Sequence, residues 1–482
     1  MKISKLLYGF EYKKNFEHDF EISGLSYDSR KVEKGDLFFC ISGFKTDGHK
    51  YAPKAVKSGA KALIVTKMLD IDIPQIVVTD DRLAMAIISC EFFDNPAKKL
   101  KMIGVTGTNG KTTTTYLLKE IFEANGKKVG IIGTIQNMIG DRAISTSHTT
   151  PESPDLNRLL SKMVDNKCEY LIIEVSSHSL DLKRVAGITF DVAIFTNLTQ
   201  DHLDFHDNFE NYAKAKAKLF ASSKTSILNV DDGAYREMRK ASVGHVLLYG
   251  IDKSANFHAE EIEVKPKGIS FDYYQSGNMI RRIIMKITGY FNVYNALCAL
   301  ATARVLNLDF EKSAKGIERI VAVNGRCQVL DAGDNGFSII LDYAHTPDSL
   351  KSTISSVRRF AEKEIITVFG CGGDRDNGKR PIMGEISGRL SDYSIITSDN
   401  PRTEDPLDII NQVKPGMDES KGKYTIIENR REAIKHAMIT AKKGDIIILA
   451  GKGHETYQEI NGVKYDFDEK VVVKELLDEI KI

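Results

Sequence analysis

The densest chemistry in the chain lies in one run, Gly104-Val105-Thr106-Gly107-Thr108-Asn109-Gly110-Lys111-Thr112-Thr113. It follows Lys101-Met102-Ile103, which reads as the end of a short strand. It precedes Thr114 to Ala124, where Leu117, Leu118, Ile121 and Phe122 recur at helical spacing. A strand, a glycine-rich turn and a Lys-Thr pair opening a helix form an arrangement that binds phosphate. Backbone N–H groups point inward, the helix N-terminus adds positive potential, Lys111 supplies charge and the Thr112 hydroxyl can reach Mg²⁺. The usual pattern has four residues between its first Gly and the Gly-Lys pair, and here Val105 stands where that first Gly would be.

Three acidic or basic features accompany it. Tyr170-Leu171-Ile172-Ile173-Glu174-Val175 reads as a buried strand ending in an acid, and Asp191 to Leu198 as a second strand, followed by Thr199-Gln200-Asp201-His202-Leu203-Asp204. An acid at a strand tip beside a phosphate loop suits Mg²⁺, directly or through water. Taken singly, Glu174 equally fits a capping or surface acid, and His202 a loop histidine. The third feature is the helical run Asn211-Tyr212-Ala213-Lys214-Ala215-Lys216-Ala217-Lys218-Leu219-Phe220. At ~100° per residue, positions two apart point to nearly opposite sides. Lys214 and Lys218 share a polar side with Glu210, whereas Lys216 shares the side of Tyr212, Ala213, Leu219 and Phe220. Lys216 is therefore placed on the desolvated side and the other two in solvent, although from the residues alone a lysine at the helix edge that snorkels its ammonium out to water fits as well or better. Desolvation favours a neutral amine, and a neutral amine can react with CO₂ to give a carbamate, an anionic oxygen ligand.

The elements that position these groups divide the chain in three. Residues 1–98 read as a small α/β unit, with strands at Leu37 to Ile41, Ala62 to Val65 and Gln75 to Val78 and helices at Tyr51 to Gly59 and Arg82 to Phe93. Two of its loops stand out, Tyr27-Asp28-Ser29-Arg30 and Gly43-Phe44-Lys45-Thr46-Asp47-Gly48. Residues 99–324 alternate apolar runs with helical patterns, which implies a mainly parallel sheet carrying the phosphate loop. Residues 325–482 repeat that alternation, with strands at Ser338 to Leu341, Ile365 to Phe369, Tyr393 to Thr397 and Asp445 to Leu449, a doubly wound α/β pattern. Each of the four strands runs into a polar or glycine-rich cluster: Asp342-Tyr343-Ala344-His345, Gly370-Cys371-Gly372-Gly373-Asp374-Arg375, Asp399-Asn400-Pro401-Arg402, and Ala450-Gly451-Lys452-Gly453-His454-Glu455. One such cluster is a turn. Four at strand C-terminal ends, where open α/β sheets bind ligands, mark a site.

Composition fits this picture. With 482 residues, 42% hydrophobic and 28% charged, the chain has core enough for about three domains. A net charge of +1 gives no reason to expect nucleic acid or a membrane surface as partner. Six scattered cysteines without a C-x-x-C pair read as buried free thiols in a reducing compartment. No apolar run approaches the ~20 residues of a membrane-spanning helix, and no secretory signal is visible. The expected location is the cytoplasm.

The variant Gly107-Thr108-Asn109-Gly110-Lys111-Thr112-Thr113, the segment Tyr212-x-x-x-Lys216-x-x-Leu219-Phe220 and the four clusters together resemble the Mur ligase superfamily, which also includes folylpolyglutamate synthetase. The resemblance runs over essentially the whole chain. It is nearest to the members that add the third residue of the peptidoglycan stem peptide. It implies ATP-dependent amide formation through an acyl phosphate, with UDP-N-acetylmuramoyl-L-alanyl-D-glutamate, ATP and an amino acid as small-molecule substrates. By resemblance, Gly107 to Thr113, Asn292, Asn295, Arg326 and Asp342 hold ATP. Thr112, Glu174, His202 and a carbamylated Lys216 serve two Mg²⁺ ions. Ser29, Phe44, Lys45, Thr46, Thr149, Thr150, Ser176 and Arg184 hold the UDP-linked substrate, with Leu182 where relatives often carry Gln. Arg375, Asp399, Asn400, Pro401, Arg402, Gly451 and Glu455 hold the amino acid. Arg402 belongs to the motif of the meso-diaminopimelate-adding type, and lysine-adding relatives generally lack it. A monomer is expected. The rival readings are an L-lysine-adding ligase, a folylpolyglutamate synthetase-like ligase, and an NTP-driven switch, which would need only the phosphate loop and an acid.

Overall fold

A computed structural model describes residues 1–480 apart from 44, 45, 145, 147, 200–202 and 207. The described residues build three large sheets, one after another along the chain, and a small hairpin. The first sheet is ordered Tyr12–Lys14, Gln75–Val78, Ala62–Val65, Asp36–Phe39, Gly24–Ser26, parallel except for its first strand. Side-chain alternation makes it two-faced. Leu37 and Phe39 pack with the helix Asp81–Phe92 on one side, and Phe38 packs with the helix Ala52–Lys57 on the other.

The central sheet has eleven strands. Its middle is parallel and hydrophobic on both faces, as a sheet covered by helices must be. The strand Lys101–Thr106 lies between Tyr170–Glu174 and Phe190–Phe195. The helices Lys111–Ala124 and Phe291–Val305 pack on one face, and Ser153–Asp165 and Phe209–Ala217 on the other. The register pairs Glu174 with Val105 and Phe195 with Thr106, so both flanking strands end level with the phosphate loop. Antiparallel strands extend the sheet at both ends: beyond Phe257–Lys265, itself parallel to His245–Gly250, come Gly268–Gln275 and Asn278–Met285 at one, and Asn137–Ile139 and Arg142–Ile144 at the other. The mainly parallel sheet expected from the sequence is thus the middle of a mixed one.

The third sheet is ordered Gln328–Leu330, Ser338–Asp342, Ile446–Ala450, Ile365–Phe369, Tyr393–Ile396, Tyr424–Ile426, parallel except for the first strand. Its four clusters therefore emerge side by side at one edge.

Element ends differ from expectation by a few residues, for local reasons. The helix expected at Tyr51 to Gly59 is a 3₁₀ turn, Gly48–Tyr51, capped by Asp47, followed by Ala52–Lys57 with Pro53 in its first turn. The strand expected to reach Leu198 ends at Phe195, because Thr196 turns away and donates to Asn109 O at 2.6 Å. All six cysteines are buried and unbridged, and burial pushes the Cys40 thiol up to about 12. Among the described residues no helix is long and apolar enough to cross a membrane.

Candidate active site

A cavity of about 560 Å³ lies between the phosphate loop and the C-terminal sheet edge. Two glycines shape the loop. Gly107 (φ +150°) and Gly110 (φ +86°) occupy left-handed backbone that L side chains rarely adopt. A Cβ on Gly107 would overlap the Thr196 hydroxyl, and one on Gly110 would lie 2.5 Å from Asn295 Oδ1. Lys111 Nζ folds back over the loop and donates to Gly107 O at 2.8 Å and Thr108 O at 2.9 Å. The Thr112 hydroxyl donates to Glu174 Oε2 at 3.1 Å. Glu174 is buried and also accepts from the Thr134 N–H and hydroxyl, both at 3.0 Å. Thr134 carried no signal in the sequence; only the folded sheet brings it to Glu174.

The helical-face reading of the lysines holds. Lys214 and Lys218 are exposed, pairing with Glu210 and Asp181, whereas Lys216 is 1% exposed. Lys216 Nζ donates to Gly107 O at 3.0 Å and stands 4.5 Å from the Tyr212 ring centroid. It is thus at the back of the phosphate loop and is not in the lining of the cavity. His202 lies outside the described residues.

The C-terminal domain closes over the loop. Arg326 Nη2 donates to Thr112 Oγ1 at 3.2 Å, and Asn109 Nδ2 donates to Asp348 Oδ2 at 2.9 Å. Arg326 stacks over Tyr343, 4.7 Å from its centroid. Asp342 lines the same cavity and accepts from Cys327 N at 2.6 Å and Thr353 Oγ1 at 3.1 Å. Burial raises its carboxyl above the usual carboxylate range, against the pull of Arg326. Asn295 lines the cavity; Asn292 lies one turn behind, donating to Thr288 O at 2.6 Å and accepting from Asn295 at 2.9 Å.

On the N-terminal side, Thr149 and Ser176 line the cavity. Thr150 is buried beneath them and donates to Glu174 O at 2.8 Å. Arg184 donates to Thr150 O at 2.9 Å and pairs with Glu152 at 2.8 Å, so its guanidinium already has protein partners. Ser29 is buried in the first domain and Thr46 is exposed there. Beside Ser29, hydrogen bonds from Arg30 hold the Asp28 carboxyl down to about 2. Phe44 and Lys45 lie outside the described residues.

The remaining cluster sits at the end of the third sheet. Asn400 Nδ2 donates to Glu455 Oε2 at 2.8 Å, and Lys452 Nζ reaches Asn400 Oδ1 at 3.1 Å and Glu455 at 3.3 Å. Burial, with Asp399 nearby, raises the Glu455 carboxyl. Gly451 (φ +120°) has no room for a Cβ beside Asp399. Arg402, following Pro401, sits at φ +54°, and its Nη1 donates to Gly373 O at 2.6 Å. Arg375 is exposed on the neighbouring loop. The fully buried Lys452, inside a cluster the sequence did mark, was not singled out there as a site residue.

Fold and site together define an ATP-dependent ligase architecture: a phosphate-loop domain flanked by two others, one closing over the loop. Residues 21–102 match the Mur ligase family catalytic domain, residues 105–303 the Mur ligase middle domain, and residues 325–453 the Mur ligase glutamate ligase domain. The chain is 47% identical to UDP-N-acetylmuramoyl-L-alanyl-D-glutamate--2,6-diaminopimelate ligase 1 of Clostridium acetobutylicum, over all of both chains. It is 45% identical to the corresponding ligase of Clostridium botulinum, again over all of both. A solved structure of a UDP-N-acetylmuramoyl-L-alanyl-D-glutamate--2,6-diaminopimelate ligase superposes with a TM-score of 0.69 at 34% identity, covering 96% of each chain. The chain belongs to the Mur ligase family.

Proposed function

We infer that this chain is the ATP-dependent ligase that joins meso-diaminopimelate to UDP-N-acetylmuramoyl-L-alanyl-D-glutamate, giving the tripeptide, ADP and phosphate for peptidoglycan synthesis. The observation that carries the reading is a single cavity lined by the phosphate loop, Glu174 and, from the opposite domain, Arg326. Residues 1–98 are assigned to the UDP end of the substrate, 99–324 to ATP and 325–482 to the amino acid.

The chemistry follows from the groups. A carboxylate is a poor acyl donor because its leaving group would be an oxide or hydroxide. Transfer of the ATP γ-phosphoryl group to the D-glutamate side-chain carboxylate makes an acyl phosphate. The incoming amine attacks that carbonyl and phosphate leaves. Backbone N–H groups of the loop, Lys111 and Arg326 stabilise charge on the transferring phosphoryl group. Thr149, Thr150, Ser176 and Arg184 orient the muramoyl peptide; Arg375, Asn400, Arg402 and Glu455 orient the amino acid. Closure of the third domain over the loop keeps water from the acyl phosphate.

The Thr112 hydroxyl and Glu174 carboxylate, converging in the cavity, are hard oxygen donors of the kind Mg²⁺ takes. Thr112 would hold one ion, and Glu174, His202 and a carbamylated Lys216 would serve a second. Bound there, Mg²⁺ neutralises phosphate charge. The burial of Lys216 supports the carbamate reading, since a solvated lysine would stay protonated. On this reading the enzyme is a cytoplasmic monomer.

The test is phosphate release by the purified chain with ATP and Mg²⁺. Release is expected only when the UDP-linked dipeptide and an amino acid are both present. ATP hydrolysis indifferent to both would point to a nucleotide-driven switch instead.

A further inference from the structure

Two loops carry the arginines assigned to the amino acid, Arg375 on one and Arg402 on the other. Beneath both lies Arg380, on the helix Lys379–Leu390, with no exposed surface at all. A buried guanidinium requires partners. Arg380 Nη1 and Nη2 fork onto the two Glu404 oxygens at 2.8 and 2.9 Å; Nη1 also donates to Gln412 Oε1 at 2.9 Å and Nη2 to Gly372 O at 3.3 Å. Glu404 accepts in turn from the backbone N–H of Asp374. One carboxylate is therefore two residues along the chain from Arg402 and one hydrogen bond from the residue before Arg375.

Further bonds tie the same loops. Gly373 N donates to Asn400 O at 2.9 Å, Arg402 Nη1 to Gly373 O at 2.6 Å, and Thr403 Oγ1 to Asp374 Oδ1 at 2.7 Å. Asp374 and Arg402 both hold left-handed backbone, φ +53° and +54°. Non-glycine residues keep that conformation only where their surroundings impose it.

We propose that the Arg380–Glu404 pair is a positioning device that sets the spacing of Arg375 and Arg402, and through it the enzyme's selectivity for an amino acid with a second carboxylate. The proposal rests on the assignment of those two arginines to the amino acid. Neither Arg380 nor Glu404 is required to touch substrate. A planar guanidinium recognises a carboxylate through two parallel hydrogen bonds, so an error in its placement costs recognition sharply.

The experiment measures phosphate release by the full-length enzyme, varying meso-diaminopimelate, L-lysine, ATP and the UDP-linked dipeptide in turn. Glu404→Ala, Glu404→Gln and Thr403→Val are compared, with Arg375→Ala and Arg402→Ala in parallel. Glu404→Ala is expected to lower kcat/KM for diaminopimelate by about 100-fold, the scale of a ~1 Å misplacement, mainly through KM. The KM values for ATP and the UDP-linked substrate should stay as they were. Glu404→Gln should recover part of the loss, because its amide oxygen still accepts from Asp374. Thr403→Val, at the exposed end of the brace, should cost about five-fold, the worth of one ordinary hydrogen bond; it serves as the test if Glu404→Ala does not fold. The proposal is overturned if Glu404→Ala and Thr403→Val leave the diaminopimelate KM unchanged while Arg402→Ala raises it. It is also overturned if all three KM values rise together with a fall in Tm, which is the behaviour of a merely structural pair. Unchanged diaminopimelate KM values in both Arg375→Ala and Arg402→Ala would place the amino acid elsewhere and remove the assignment itself.

Discussion

Arg326 of the C-terminal domain donates to the hydroxyl of Thr112, at the head of the phosphate-loop helix, across 3.2 Å. The same hydroxyl donates to Glu174 at 3.1 Å. One small side chain thus joins the loop, its acid and the domain that closes over them. Arg326→Ala should lower kcat by about 100-fold, the typical loss for one preorganised charge-stabilising donor, and Arg326→Lys should recover only part, because an ammonium lacks the planar fork. Steady-state kinetics with ATP varied will check this. A change confined to the ATP KM would mean that Arg326 only helps to bind nucleotide.

Lys216 is buried against the phosphate loop, whereas Lys214 and Lys218 lie in solvent. Lys216→Ala should reduce kcat by about 100-fold or more, with Lys214→Ala and Lys218→Ala close to wild type. Short carboxylic acids should restore part of the lost activity by replacing carbamate oxygens. Equal tolerance of the three substitutions would remove Lys216 from the reaction.

Ser29 and Thr46 are assigned to the UDP end of the substrate. Ser29→Ala should raise the KM for the UDP-linked dipeptide about five-fold, one hydrogen bond's worth, with kcat and the ATP KM unchanged. Kinetics take that form when a substitution weakens binding of the ground state and the transition state equally. A selective weakening of ATP instead would mean that the first domain holds a different ligand.

His454 gives the fold a pH dependence. Burial, reinforced by Arg326, His345 and Lys470, lowers its pKa to about 3, while the unfolded chain titrates near ~6.5. Between those values the unfolded state binds the extra proton, so stability falls as pH drops from ~6.5 towards 3, by at most ~1.4 kcal/mol per pH unit from this one group. Above ~6.5 it contributes no slope. Urea unfolding at pH 7.5 and pH 5 should show His454→Gln losing less stability on acidification than the wild type. Identical losses would mean that other groups carry the acid sensitivity.

What the sequence made legible was local. Gly107, Gly110 and Lys111 are adjacent in the chain, and their backbone demands are written in their residue types. The face of Lys216 follows from helical periodicity alone. What escaped depends on residues brought together only by folding. Thr134 meets Glu174 across 40 residues and Arg380 meets Glu404 across 24, and neither pair has a spacing signature. Asn292 and Asn295 illustrate the intermediate case: the motif located them, but only packing decides that Asn295 faces the cavity while Asn292 supports it from behind. The antiparallel strands at the ends of the central sheet were missed because alternating polarity alone does not say which strand is its neighbour.

The most direct test concerns the amino acid. Diaminopimelate carries a carboxylate at its far end where L-lysine has none, and Arg402 is assigned to that group. Arg402 is partly buried and already meets Glu459 at 3.4 Å and Gly373 O at 2.6 Å, so lysine forgoes a charged hydrogen bond without orphaning the guanidinium, at a cost of about 1.5–3 kcal/mol, or roughly 10-fold to 150-fold in selectivity. The measurement is kcat/KM for meso-diaminopimelate and for L-lysine, with wild type and Arg402→Ala. The expected result is a preference for diaminopimelate within that range, lost together with activity in Arg402→Ala. Comparable kcat/KM for the two amino acids in the wild type would contradict it.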